Sequence, residues 1–388
     1  MPLCLSTRFV WPPSAFSAGL LALTLSACVE GSALEPVDVT VSSAADAHAQ
    51  GLNPSGTSSE GQRAGASGVA RAWEARYEAP TEAESLISST LRLNQLQMKG
   101  THNSYHIEMP GPKYPDYYYT HLPLDQQLEE QGVRQFELDL HYNGISDEML
   151  VYHAIVIDMR STCRYFTDCL KTMKAWSDAN PMHHPITLLL EPKEWSSPRP
   201  TETFLKRVED DILSVIPKER LVTPALVQGT YPDLASAVEA GAWPLIDDVR
   251  GRFMFILHTD GELELAYTHN DLDLKDRIMF VDTPPGKSYS AVTVLNDPIG
   301  QYNEIRSVVS RGYMVRTRAD SCCGDTDEQY TEQLNAALSS GAHMISGDFP
   351  APAEGMTYYT NIPGGTPSRC NPVTAPSGCT SEAIESLP

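Results

Sequence analysis

Eight short apolar runs, most of them separated by helix-like stretches, leave this chain few architectures other than a closed barrel of strands ringed by helices. The runs occupy residues 93–98, 133–140, 149–153, 186–191, 252–258, 277–282, 313–318 and 343–346. Helical periodicity is read at 124–130, 169–179, 201–215, 233–240, 298–310 and 328–339. The 201–215 helix opens on Thr201 in a capping-box position, although the acid that would complete the box is absent. Only a short connection through Asn143-Gly144 joins the second and third runs, so the predicted fold is an irregular (β/α)8 TIM barrel. Active sites of such barrels sit at the carboxyl ends of the strands.

The residues at those ends carry chemistry. The first run stops at Gly100 in Lys99-Gly100-Thr101-His102-Asn103-Ser104-Tyr105, leaving His102 and Asn103 beyond it. In the second, Glu137 and Asp139 are two apart and share a face, where two acids repel unless a cation lies between them. The third ends at His153 and the fourth at Glu191. Asn103, Glu137, Asp139 and Glu191 thus offer four oxygen-bearing side chains, a donor set for calcium or magnesium. The competing reading pairs Glu137 and Asp139 with barrel-lining Arg or Lys. His102 and His153 are the candidate acid and base, whereas the remaining histidines, His258 included, read as structural or surface residues.

Acidic residues outnumber basic ones 50 to 28, a formal charge of −22. That balance argues against nucleic acid and against simple attraction to an anionic membrane, and it suits a divalent cation. It equally suits solubility outside the cytoplasm. Residues 1–27 read as a lipoprotein signal: Arg8, an apolar segment from Ala15 to Leu25, then the lipobox Leu25-Ser26-Ala27-Cys28 with Cys28 as the lipid-carrying residue. An ordinary secretory signal is the alternative. Residues 28–85 form an Ala, Gly and Ser-rich tether, whose some 45 flexible residues reach roughly 35 to 40 Å. The barrel is assigned to 86–350 and a stapled tail to 351–388. Six cysteines remain, Cys163, Cys169, Cys322, Cys323, Cys370 and Cys379, and an even number in an exported chain reads as disulfides rather than zinc ligands. Short loops favour Cys163 with Cys169 and Cys370 with Cys379, leaving Cys322 and Cys323 to bridge each other or exchange partners.

In order and spacing, THNSY at 101–105, FELDL at 136–140, VYH at 151–153, LLLEPK at 188–193, YMVRTRAD at 313–320 and MISGDFP at 344–350 resemble the motifs of one enzyme family. This is the calcium-dependent phosphatidylinositol-specific phospholipases C, in particular the single-domain bacterial branch. The resemblance covers roughly residues 90–350 and implies calcium on Asn103, Glu137, Asp139 and Glu191. It implies that one of His102 and His153 activates the inositol 2-hydroxyl and the other protonates the departing diacylglycerol, leaving a cyclic inositol phosphate; His102 is placed near the attacking side and His153 near the leaving group, with the roles otherwise open to exchange. Lys193, Arg316 and Arg318 are candidates to hold the phosphate or the inositol hydroxyls; structural pairing of the arginines with Asp320 or Asp348 is the alternative. The lysines by which eukaryotic relatives read extra ring phosphates have no evident counterpart, so the expected substrate is phosphatidylinositol or a glycosylated form at a membrane surface. Tyr114, Tyr117, Tyr118 and Tyr119 lie in a loop that packs on the barrel rim or meets the lipid. The expected protein is a monomeric exported bacterial lipoprotein facing the periplasm or cell surface, with Val29 after the cysteine fitting the outer membrane. The competing functions are a lipid- or glycan-binding lipoprotein without turnover, and a glycerophosphodiester-type hydrolase, whose His-Arg-Gly start the first strand lacks.

Overall fold

The computed structural model describes residues 90–110, 117–193, 201–320, 326–353, 355–365 and 367–385. The signal, the whole tether, Tyr114, Cys322 and Cys323 lie outside the described residues.

Eight parallel strands form the barrel: β1 (Leu96–Thr101), β2 (Gln135–Asn143), β4 (Ile186–Pro192), β5 (Phe253–Leu257), β6 (Phe280–Val281), β7 (Val292–Val294), β8 (Met314–Arg318) and β9 (Met344–Gly347). They are ordered β6-β5-β4-β2-β1-β9-β8-β7. The two end strands meet at a parallel bridge between Asp282 and Val292, and the Asp282 side chain takes up the Val294 amide at 2.8 Å, so the ring is nearly closed. Two disulfides stand among the described residues, Cys163–Cys169 and Cys370–Cys379.

The barrel holds eight strands, but not the eight apolar runs. The 149–153 run forms β3 (Glu148–Val151), which pairs antiparallel with β2 and lies off the barrel path, as a hairpin raised above the rim. Its place is taken by β7, three residues long and preceded by Pro284, Pro285 and Gly286, too short a run to register as a strand by periodicity. β3 returns so that Val151 faces Leu140, and His153 follows two residues later at rim level.

Helices cover the outside. Among them are α1 (Leu124–Glu130), α2 (Phe166–Ala179), α3 (Thr201–Val215), α7 (Tyr302–Ser310) and α8 (Asp327–Ser340), with α4 to α6 (Pro224–Gln228, Leu234–Glu239 and Gly261–Tyr267) shorter. α8 carries a complete capping box, in which the Thr326 hydroxyl accepts from Gln329 N and the Gln329 side chain accepts from Thr326 N. The last strand, β10 (Ser368–Cys370), pairs antiparallel with β1, and α9 (Ser381–Ile384) follows it.

Register tells which side chains point inward. Neighbouring Cα partners share a face, and so do residues two apart on a strand. Glu137 lies beside Leu189, Asp139 beside Glu191, Leu189 beside Ile256, and Ile256 beside Phe280. Arg316 lies beside Val294 and Met344, Arg318 beside Ser346, and Gly100 beside both Ser346 and Gln135. The alternation is consistent round the ring. One step past the strand ends, it places His102, His258, Asp282 and Asp348 on the same inner face as Glu137, Asp139 and Glu191. A Cβ at Gly100 would stand 2.1 Å from Gln135 Oε1, so any larger residue there must displace that side chain.

Candidate active site

The turn after β1 is built by its own side chains. Asn103 has φ 42, a left-handed conformation that a short amide side chain tolerates. Ser104 then pins the turn to β2: its amide donates to Glu137 O at 3.0 Å, and its hydroxyl accepts the Glu137 amide at 2.8 Å. The same hydroxyl donates to Thr101 O, and Gln127 on α1 donates to Ser104 O at 2.6 Å. Thr101, Asn103 and Ser104 thus fix the turn, with Asn103 buried and His102 held at the mouth of the barrel.

His102 Nδ1 lies 2.7 Å from Asp348 Oδ1, and its Nε2 lies 3.6 Å from Glu137 Oε1. Arg318 donates to Asp348 Oδ2 at 2.8 Å, and Asp320 Oδ1 accepts the Asp348 amide at 2.7 Å. Burial pushes the Asp348 carboxyl up, but Arg318 and His102 outweigh it and hold the group well below the usual carboxylate range. Burial and then Arg318 lower the His102 imidazole against the pull of Glu137 and Asp348, so the ring is neutral at pH 7. A neutral imidazole whose Nδ1–H is taken by a carboxylate keeps its Nε2 lone pair for a proton.

His153 stands on the other arm of the mouth. Its Nδ1 lies 3.2 Å from Asp158 Oδ2, and the other Asp158 oxygen meets His106 Nε2 at 3.1 Å. Tyr117 packs edge-on against His153 with ring centroids 5.1 Å apart, and Tyr119 lies tilted against His106 at 4.4 Å. His121 Nε2 in turn lies 2.9 Å from the His102 carbonyl. The two histidines therefore belong to one rim, joined through the His106, Tyr119 and His121 cluster. Between Ala154 and Asp158 the chain makes a tight turn, closed by reciprocal backbone bonds of 2.9 Å. Its three tip residues are Ile155, Val156 and Ile157, exposed by 51%, 77% and 52%.

The carboxylates gather as the spacing predicted. Oxygens of Glu137, Asp139 and Glu191 all lie within 4.8 Å of one another. Basic groups also reach them: Arg316 pairs with Glu137, and Lys193 with both Asp139, at 3.0 Å, and Glu191. Burial raises the Glu137 carboxyl, yet the Arg316 guanidinium draws it down to about 2. Asp139 behaves oppositely. It is fully buried, with Lys193 as its ion-pair partner, and burial followed by the charge of Glu191 pushes its carboxyl well up. A buried carboxylate beside two others fits a hard cation. Glu137, Asp139 and Glu191 would hold it; Asn103 is buried on the adjoining turn, where its Oδ1 accepts the Tyr105 hydroxyl at 3.4 Å.

Arg316 is buried and bonds Asn296 Oδ1 at 2.5 Å and Ser346 Oγ at 3.1 Å besides Glu137, while its Nε has no partner. Arg318 bonds the Asp320 carbonyl at 2.9 Å in addition to Asp348. Two further residues share the inner face at the mouth and escape the sequence reading: His258 and Asp282, with Nδ1 to Oδ2 2.7 Å. Burial lowers the His258 imidazole, but Asp282, Glu137 and Glu191 raise it overall. Their signal was present, since each closes an apolar run in the way His153 and Glu191 do. They border a cleft of about 640 Å³ lined also by Glu191, Asp260, Glu264 and Glu304.

Comparison with known proteins agrees with this architecture. Among solved structures, the calcium-dependent phosphoinositol-specific phospholipase C of a Gram-negative Pseudomonas sp. superposes with a TM-score of 0.53 at 19% identity, covering 74% of this chain and 99% of that one. A calcium-dependent phosphatidylinositol-specific phospholipase C from Streptomyces antibioticus gives 0.51 at 19% identity, covering 67% of this chain and 96% of its own. No curated protein matches the chain. The family model described as phosphoinositide phospholipase C, Ca2+-dependent, matches residues 91–149 and 145–372, more than half of the sequence, and the chain belongs to that family.

Proposed function

We propose that the protein cleaves phosphatidylinositol, or a glycosylated form of it, by attack of the inositol 2-hydroxyl on the phosphate, releasing diacylglycerol and a cyclic inositol phosphate. The observation that carries this reading is one mouth holding two imidazoles, His102 hydrogen-bonded to Asp348 and His153 within 3.2 Å of Asp158, with the trio Glu137, Asp139 and Glu191. His102, neutral at pH 7 and oriented by Asp348, takes the proton of the attacking hydroxyl at Nε2. His153 returns a proton to the glycerol oxygen as it leaves. Its position supports that order, because the exposed aliphatic turn 155–157 starts two residues later and suits the acyl side of the lipid. Calcium bound by the carboxylates would neutralise charge on the phosphate and acidify the hydroxyl. Arg318 lies at the same mouth, next to the His102 and Asp348 pair, where a guanidinium favours an anionic substrate.

The cleft beside His258 supports the unphosphorylated ring. Glu191, Asp260, Glu264, Asp282 and Glu304 line it, and that concentration of negative charge repels additional ring phosphates. The Leu25-Ser26-Ala27-Cys28 run further supports an exported, Cys28-anchored lipoprotein working from a membrane; release of a Cys28→Ser variant from membranes tests this. The decisive experiment uses phosphatidylinositol vesicles. Cyclic inositol phosphate is expected, abolished by a chelator and restored by calcium but not magnesium. Lipid binding without product in the presence of calcium overturns the reading, and faster turnover of the bisphosphate lipid overturns the assignment of substrate.

A further inference from the structure

Lys193 occupies a place that a divalent ion would need. β4 ends at Pro192, and the Lys193 amide still ladders onto β2, donating to Leu140 O at 2.9 Å. Its side chain folds back over the strand end, so that the ammonium lies 3.0 Å from Asp139 Oδ2 while also pairing with Glu191 Oε1. Those two acids are members of the trio whose oxygens lie within 4.8 Å of one another. Calcium draws oxygens to about 2.3 to 2.6 Å and takes six to eight of them. An ammonium and a divalent ion therefore compete for the same oxygens, and both cannot sit between Asp139 and Glu191. Asp139 is fully buried beside two further carboxylates, so a positive charge is needed there whichever cation supplies it.

Building on the metal reading of this site, we propose that Lys193 is an exchangeable counter-cation of the carboxylate cage, neutralising Asp139 and Glu191 in the ion-free protein and giving up their oxygens when calcium binds. The exchange has two consequences. Ion-free protein avoids three mutually repelling acids at the mouth, so the fold tolerates low calcium. Loading the ion then frees an ammonium at the rim, where Lys193 is partly exposed, and adds positive charge on the side from which an anionic lipid headgroup arrives. Ion loading and phosphate attraction are thereby linked through one side chain.

The test is made without substrate, on the full-length protein and its Lys193→Met variant. Calcium titration by calorimetry is expected to show tighter binding in Lys193→Met by about tenfold or more, since the internal competitor is gone. Thermal unfolding is expected to show a lower Tm for the ion-free variant and a larger calcium-induced rise than in wild type. Equal or weaker calcium affinity in the variant overturns this inference alone; absence of calcium binding by the wild type overturns both it and the metal reading. Should the ion-free variant fail to fold, wild-type protein answers the question. Acylation of Lys193 by an amine-reactive ester, followed by mass spectrometry, is expected to speed up severalfold on adding calcium, and an unchanged or slower rate overturns the proposal.

Discussion

Asp348 grips His102 at 2.7 Å with one oxygen and Arg318 at 2.8 Å with the other, so the charge that orients the imidazole is itself fixed by a guanidinium. Asp348 reaches no reacting atom in the proposed mechanism and acts as a positioning residue. Asp348→Asn keeps the shape but can offer an N–H to Nδ1, which stabilises the wrong tautomer. The expected loss is in kcat, by about 100-fold or more, with KM within about threefold of wild type, the signature of an interaction realised in the transition state. Kinetics on phosphatidylinositol vesicles check it; a loss confined to KM argues that Asp348 serves binding instead.

Much of this site was legible because strands alternate faces. Glu137 and Asp139 two apart, and Glu191 at the end of the next stave, are sufficient to bring three acids to one spot, and the structure does so. The same rule applied to the runs ending at His258 and Asp282 reaches the other wall of the mouth, but a lone histidine without a partner in sequence carries no chemistry by itself. Asp158 was beyond reach for a different reason. It meets His153 and His106 only because a hairpin folds back over β2; the short Asn143-Gly144 link, which can join only antiparallel strands, marks that β3 leaves the barrel, but nothing in it marks where the return brings Asp158. The strand that replaces it, β7, is held by backbone pairing with β8 and by the Asp282 side chain, contacts of long sequence range.

The turn that bears Val156 costs the fold twice. Val156 has φ 73, strained for a β-branched residue, and it exposes 77% of its surface beside two other aliphatic side chains. Val156→Asn relieves the backbone, because Asn tolerates the left-handed region. A gain of about 1 kcal/mol in stability is therefore expected from chemical denaturation. If the tip meets lipid, the same variant loses turnover on vesicles by about tenfold while keeping its rate on a monomeric short-chain substrate. An equal loss on both substrates would instead place the effect in His153, which the turn also positions.

Beneath the barrel, the tail is locked by a second buried pair. Arg134, just ahead of β2, meets Glu385, just beyond α9; Glu385 also accepts the His184 amide at 3.0 Å, and Trp176 lies 4.6 Å from the Arg134 guanidinium. Glu385→Ala leaves that guanidinium buried without its carboxylate, which costs about 3 to 5 kcal/mol. Denaturant unfolding measures this, and kcat at a temperature where the variant is folded is expected to be unchanged, since the pair lies at the opposite end of the strands from the mouth.

His343 gives the fold a defined sensitivity to acid. It is fully buried: its Nδ1 accepts the Val315 amide at 3.1 Å, so Nε2, 2.9 Å from Asn94 O, must carry the proton. Protonating Nδ1 would break the first of these bonds, and burial accordingly lowers the imidazole from 6.5 to about 4. An unfolded imidazole takes its proton near 6.5, so between 6.5 and 4 the unfolded chain binds more protons than the folded one. Stability from this group is therefore whole above about pH 6.5 and drains away as pH falls toward 4, by roughly 2 kcal/mol between pH 7 and 5. His343→Gln can donate to Asn94 O and accept from Val315 N while never titrating. Its Tm is expected to fall less steeply than that of wild type from pH 7 to 5, with other buried and depressed histidines, among them His121, His141, His183 and His184, contributing to the slope that remains. Differential scanning calorimetry across that range decides it: parallel curves for the two proteins would mean that His343 titrates normally in the folded state.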